Sequence, residues 1–300
     1  GAGPRATPTF ATGVLYCYTG KGVLIALQAA TGDLIWRRDL MEEVKAPLPI
    51  WGFSSSPAVF GDVVIVFACG EGENGLMAFD RLSGDLRWAV SAGGMNFASA
   101  QRAVLDGQET LVFVQDDLAR GFDPATGEPW WQYATNPKGS PPIVQPQQIT
   151  ETDLIIPLGD GVGVSRVSVS LGDDGDWTVT EKWRSRNLKP SFNDYLIVDE
   201  AIFGFDKSIF ACVDATDGSR IWKRGRYGFG QALLLESSAQ LIVTTETGDL
   251  VLLDADREKL VERGRVSALE GKTWNHPVVA DGRLFVRNAQ EMACYRLTVE

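Results

Sequence analysis

The sequence predicts an all-β chain built from about seven four-stranded repeats, and three observations carry this. One unit recurs: Asp80–Gly84–Trp88, Asp123–Gly127–Trp131 and Asp214–Gly218–Trp222 each place Gly four residues after Asp and Trp four after Gly. A looser copy precedes them (Gln28, Gly32, Trp36) and a decayed one follows (Asp254, Glu258, Glu262). A spacing of roughly 40 residues is the period of a repeat architecture. Helical periodicity is almost absent, whereas short β-rich runs bounded by Gly, Asp, Asn and Pro recur along the chain. Four short strands per repeat, repeated about seven times, is the pattern of a β-propeller.

Each unit reads as a hairpin. Gly supplies the positive φ of the turn, and Asp bonds its own backbone two residues on. The Trp on the outgoing strand brings a broad apolar face and one N–H donor. These residues are therefore expected to hold neighbouring blades together rather than to bind a ligand. In chain order the blades are expected near residues 7–37, 55–90, 98–133, 143–183, 195–223, 231–266 and 276–297, the last with only three strands. Residues 1–300 are expected to form a single propeller domain.

Composition bounds the function. The chain is 44% hydrophobic and 10% aromatic, enough for a sizeable core. A net charge of −11 argues against a nucleic-acid partner held by phosphate contacts, and no apolar run reaches the ~18 residues of a membrane span. Cys17, Cys69, Cys212 and Cys294 stand far apart with no CxxC pair and read as buried free thiols, a Cys17–Cys294 bond being left open. His276 is the only histidine, so a metal site built on several histidines is excluded. The run Gly70-Glu-Gly72-Glu-Asn-Gly75 fits GxGxxG, but a strand follows it and Glu71 and Glu73 would repel phosphate, so it reads as a hairpin loop. Asp173–Asp176 lacks the spacing of a calcium loop and reads as a solvated turn.

With its apolar-Asp-x-x-Thr-Gly-x-x-x-Trp centre, the repeat resembles the PQQ-like propeller repeat of quinoprotein alcohol dehydrogenases and of BamB-type outer-membrane assembly lipoproteins. Gly3–Thr9 and Trp274-Asn-His-Pro277 further resemble BamB-like proteins that begin about one blade earlier, which implies eight blades in an intact chain. The weak strand potential of residues 1–6 and the absent initiator Met fit the same expectation. The resemblance implies a non-catalytic binding or scaffold module, periplasmic or elsewhere in the cell envelope. Its alternative is a PQQ-dependent alcohol dehydrogenase, with pyrroloquinoline quinone and calcium as cofactors. The adjacent cysteine pair of those enzymes is missing here. The preferred expectation is therefore a chain with no catalytic residues, no metal and no cofactor. A carbohydrate hydrolase or lyase is disfavoured by the lone histidine and the lack of a paired-carboxylate motif.

In a propeller, the links from each outer strand to the next inner strand gather at one mouth of the central channel. These links carry eight basic residues against four acidic ones on an acidic chain, a charge balance that would attract anions. The candidate ligand-binding residues at this mouth are Trp51, Asn187, Lys189, Arg226, Tyr227, Gln231, Trp274, Asn275 and His276. The expected occupant is a protein partner or a small anionic or carbohydrate ligand.

Overall fold

The computed structural model describes residues 5–45, 47–94, 96–115, 117–135 and 143–297. They form the seven blades of an all-β propeller fold, each sheet joining strands in chain order. Blade 1 holds Thr9–Ala11 (β1), Val14–Tyr18 (β2), Val23–Gln28 (β3) and Leu34–Asp39 (β4). A helix absent from the sequence reading, Leu40–Val44 (α1), follows it. Blade 2 holds Ala58–Phe60 (β5), Val63–Phe67 (β6), Leu76–Asp80 (β7) and Leu86–Val90 (β8). Blade 3 holds Gln101–Leu105 (β9), Gln108–Gln115 (β10), Leu118–Phe122 (β11) and Pro129–Ala134 (β12). Blade 4 holds Gln147–Gln148 (β13), Asp153–Pro157 (β14), Val164–Leu171 (β15) and Trp177–Ser185 (β16). Blade 5 holds Leu196–Val198 (β17), Ala201–Asp206 (β18), Ile209–Asp214 (β19) and Arg220–Arg226 (β20). Blade 6 holds Gln231–Leu235 (β21), Gln240–Thr244 (β22), Asp249–Asp254 (β23) and Glu262–Ser267 (β24). Blade 7 has three strands, Val278–Ala280 (β25), Arg283–Arg287 (β26) and Met292–Arg296 (β27). Residues 1–159 with 167–181 pack as one compact unit, and residues 160–166 with 182–300 as a second.

Burial explains the sequence of each strand. The second strands β6, β14 and β18 are covered on both faces, every residue of each being buried, whereas β2 and β26 alternate. In the fourth strand β8 one inward aromatic, Trp88, is the single buried residue.

The repeated unit is an interlock between consecutive blades. Asp80 Oδ1 accepts the Leu82 and Ser83 N–H groups at 2.9 and 3.0 Å, and these bonds hold its carboxyl below the usual range. Gly84 closes the turn at φ 77°. The preceding blade's Trp36 lies against that glycine so closely that a Cβ there would sit 2.8 Å from the indole. Trp36 Nε1 then donates to the Arg81 carbonyl at 3.1 Å. The same lock recurs from Trp88 to Pro124 O at 3.1 Å, Trp183 to Ala215 O at 3.0 Å and Trp222 to Asp256 O at 3.1 Å. At Gly84, Gly127 and Gly218 glycine is needed twice over, for its φ and for the missing side chain, whereas the turn that receives Trp222 has Glu258 in that place. The residue opposite the Trp is small: Ala26, Ala78, Gly121 and Cys212 face Trp36, Trp88, Trp131 and Trp222.

Two blades depart from this plan. The blade 4 hairpin lacks the Asp-to-Gly spacing, and buried Trp131 Nε1 has no hydrogen-bond partner among the described residues. Trp130 stacks on Trp177 at 5.5 Å instead, and the Tyr133 hydroxyl bonds the Glu181 carboxylate. In blade 6 the register puts Gly264 opposite Leu252, where other blades have Trp opposite a small residue. The decayed copy thus ends at Gly264 rather than Glu262, and β24 is exposed throughout.

The Gly70–Gly75 run is the β6–β7 loop, with Gly70 N donating to Asn74 O at 2.9 Å, and Asp173–Asp176 is an exposed turn. Cys17 and Cys294 share no disulfide, and not all four cysteines are buried. Cys69 and Cys212 are buried, Cys17 is half-buried and Cys294 is exposed, because β27 is the last strand of a three-stranded sheet. Burial pushes the Cys212 thiol up to about 12. A thiol reagent at neutral pH should therefore label Cys294 quickly and Cys212 only on unfolding. Equal labelling rates would contradict the placement of Cys212 beneath Trp222.

Candidate functional site

Blades 5, 6 and 7 are entered through three links within the second compact unit, spanning residues 186–195, 227–230 and 268–277. Each link carries a partly exposed aromatic: Phe192, Phe229 and Trp274. Phe192 stacks on Phe229 with centroids 5.8 Å apart and meets Trp274 at 4.9 Å, so the three rings form a row.

Two side chains hold that row in place. Gln231 opens β21 and is 1% exposed. Its Nε2 donates to Phe192 O at 3.1 Å and Trp274 O at 3.2 Å, while its Oε1 accepts Asp194 N–H at 3.3 Å. One buried amide thus joins all three links, with its donors and acceptor satisfied. Glu246, in the β22–β23 turn, works from the other side. Its Oε1 accepts Trp274 Nε1–H at 3.0 Å and its Oε2 accepts Phe229 N–H at 3.1 Å. Its backbone donates to Tyr227 O and accepts from Thr273 N, both at 2.9 Å.

The surroundings are polar and mixed in charge. Lys272 Nζ stands 4.4 Å from the Trp274 ring centroid, a cation–π contact. His276 Nε2 lies 2.8 Å from Asp194 Oδ2, and Asn275 is half-buried beside it. Trp274 is 44% exposed although its N–H is bonded. Fixed aromatic faces with a cation, a carboxylate and an amide nearby are the groups of a recognition surface.

The remaining predicted residues have other surroundings. Asn187 Nδ2 donates to Gly218 O at 2.9 Å, which fastens its link to the outer hairpin of blade 5. Lys189 Nζ donates to Asp206 at 2.9 Å, and its backbone bridges to Phe205 and Lys207. Tyr227 is 2% exposed, its hydroxyl donating to Glu262 at 3.1 Å with Arg265 over the ring at 5.5 Å. Burial, and then the Glu262 carboxylate, push its phenol up to about 12. Arg226 is exposed at the end of β20. Trp51 belongs to the other unit, where it packs on Phe97 at 4.8 Å. Residues 136–142 of the third link lie outside the described residues.

Sequence reasoning missed Phe192, and it placed Glu246 on this face only as one of the acidic second-to-third-strand loop residues. Phe192 had a signal: Phe53, Phe97, Phe192, Phe229 and Trp274 each stand just before a blade begins, a second periodicity beside that of the hairpins. The bonds of Glu246 were not legible, because its partners lie 17 and 28 residues away.

The blade count, the interlocking tryptophans and this link surface define a PQQ-repeat propeller. A family profile described as outer membrane protein assembly factor BamB matches residues 1–224 and 205–299, and the chain belongs to that family. None of the curated proteins matches the sequence. Among solved structures, BamB from Moraxella catarrhalis is similar at TM-score 0.66 and 16% identity, covering 94% of this chain and 80% of that one. A europium-containing methanol dehydrogenase is similar at TM-score 0.63 and 13% identity, covering 93% and 72%. With 1010 solved chains alike in this way, the likeness identifies the fold and leaves the chemistry to the site.

Proposed function

We propose that this chain is a non-catalytic binding module of the bacterial cell envelope, periplasmic in location, which receives a protein or small-ligand partner on the links of blades 5–7. The observation that supports this best is the row Phe229–Phe192–Trp274, partly exposed yet held by Gln231 and Glu246. Rings ordered before contact lose little entropy on binding, so such a row suits recognition. The envelope location rests on the family's description as an outer membrane assembly factor. No helix among the described residues is long and apolar enough to cross a membrane.

The similarity to a methanol dehydrogenase keeps a second reading in view, a quinone–calcium oxidoreductase. Calcium takes six to eight oxygen ligands, several from carboxylates. Among the described residues no three His, Cys, Asp or Glu side chains converge on a point that would hold a metal ion. This supports the non-catalytic reading over the oxidoreductase.

Titration of the purified chain with acidic peptides, oligosaccharides, and pyrroloquinoline quinone plus calcium separates the readings. Saturable binding of a peptide or glycan is expected, and binding of a charged ligand should weaken as salt is raised. Trp274→Ala should abolish that binding with little change in melting, because half of the side chain is already in water. Stoichiometric quinone binding with alcohol-dependent dye reduction would replace this reading with the dehydrogenase. Binding that survives Trp274→Ala would move the site elsewhere.

A further inference from the structure

The Asp206 carboxylate of blade 5 gathers more cations than it can neutralise. Its Oδ1 accepts from Lys189 Nζ at 2.9 Å, and its Oδ2 from Lys223 Nζ at 2.6 Å and Arg220 Nη2 at 3.1 Å. One negative charge faces three positive ones, an excess of two. Arg220 and Lys223 share one oxygen, so their nitrogens stand no more than about 6 Å apart and repel one another. Water relieves this only in part, since the Lys189, Lys223 and Arg220 side chains are 18, 27 and 38% exposed. Among the described residues no second carboxylate pairs with any of the three. The other acids of this stretch that form ion pairs, Asp194, Glu200 and Asp214, are engaged by His276 and Arg257 instead.

The sheet holds this cluster in place. Asp206 ends β18 with its side chain 1% exposed, and its backbone forms an isolated bridge with Lys189. Lys223 and Arg220 lie opposite Ala211 and Val213 of β19, while Trp222 between them is locked to Asp256 O of blade 6. The donors are far from exhausted: a guanidinium has five N–H groups and an ammonium three, and each cation gives Asp206 a single bond. Around the cluster, residues 182–226 hold nine Lys or Arg against six Asp or Glu, in a chain of net charge −11.

We propose that Lys189, Arg220 and Lys223 form a binding site for a phosphate group, with Asp206 gathering the cations and the phosphate neutralising the charge left over. A phosphate monoester carries about 1.5–2 negative charges at neutral pH and three strong acceptor oxygens. That matches both the excess charge and the unused donors, whereas a carboxylate would meet half of the excess. Arg220 supplies the planar fork that suits two phosphate oxygens at once. The site takes only Lys189 from a link and does not depend on the aromatic row binding anything.

Free phosphate and a phospholipid headgroup present the same group, and two probes separate them. Inorganic phosphate is titrated into the full 300-residue protein near neutral pH, with chloride keeping the ionic strength constant. Saturable binding is expected, with NMR shifts concentrated at the Lys189, Arg220 and Lys223 side chains. Arg220→Gln should weaken it by about tenfold, the scale of a lost charge-assisted hydrogen bond. Melting should change little, because Lys189 and Lys223 still pair with Asp206. Lys223→Gln should weaken binding in the same way and serves as the second variant. Vesicles containing phosphatidic acid are the other probe. Sedimentation with them that Arg220→Gln abolishes assigns the phosphate to a lipid, and phosphate binding without sedimentation assigns it to a free anion. The proposal fails if phosphate gives no saturable shift over chloride, or if neither substitution weakens binding. It also fails if the shifts map to the Phe229–Phe192–Trp274 row instead.

Discussion

Trp88→Ala is expected to destabilise the protein by about 3–5 kcal/mol, the range for a buried aromatic removed whole. The side chain is 8% exposed and lies under Gly127, and its N–H satisfies the Pro124 carbonyl. Truncation opens a cavity beneath the hairpin and leaves that carbonyl without its partner. A paired Phe substitution isolates the hydrogen bond. Trp88→Phe should cost about 1–3 kcal/mol, since a buried acceptor loses its donor. Trp131→Phe should cost about 1 kcal/mol or less, because Trp131 is as deeply buried but its indole N–H has no acceptor among the described residues to lose. Urea melts of the three variants measure this. Equal costs for the two Phe substitutions would mean that the indole hydrogen bond is not part of the lock.

The parts of the structure that repeat were legible in the sequence. Asp80, Gly84 and Trp88 are four residues apart because a turn and a strand fix those distances locally. The partner of each Trp, the next hairpin, follows from the period. What did not repeat was harder to read. Gln231 looked like a ligand-facing amide because it sits among polar link residues, yet it is nearly inaccessible and its hydrogen bonds span 37–43 residues. Tyr227 read as an exposed aromatic in a link, whereas the Glu262–Arg265 pair on β24 covers it. Trp274 and His276 stayed at the surface, where the sequence placed them. The difference lies in contacts between blades, which composition and spacing do not encode. Helix α1 was missed for a related reason: five residues are too few for a helical period to show.

Asp206→Ala is the second large effect expected, a loss of about 3–5 kcal/mol, as for a buried ion pair deprived of one member. The Asp206 side chain is 1% exposed and receives three cations: Lys189 at 2.9 Å, Arg220 at 3.1 Å and Lys223 at 2.6 Å. Burial alone would raise its carboxyl, but the bonds from Lys223 and Lys189 outweigh that and hold it below the usual carboxylate range. A folded-state pKa below the unfolded value gives stability that is complete above about pH 4 and is lost as pH falls toward the folded-state value. The gap between wild type and Asp206→Ala, measured by urea melts, should therefore be widest near neutrality and narrow steadily below pH 4. Added salt should recover part of the variant's loss, because the three cations repel one another and are partly solvated. The consequence reaches the link surface. Lys189 N bonds Phe205 O and Lys207 N bonds Lys189 O, both at 3.2 Å, so this network anchors the link that carries Phe192 three residues on. Asp206→Ala should thus weaken any ligand held by the Phe229–Phe192–Trp274 row even where the protein remains folded. A variant that keeps full affinity, or whose stability gap is the same at pH 7 and pH 2, would show that Asp206 is not what holds the link.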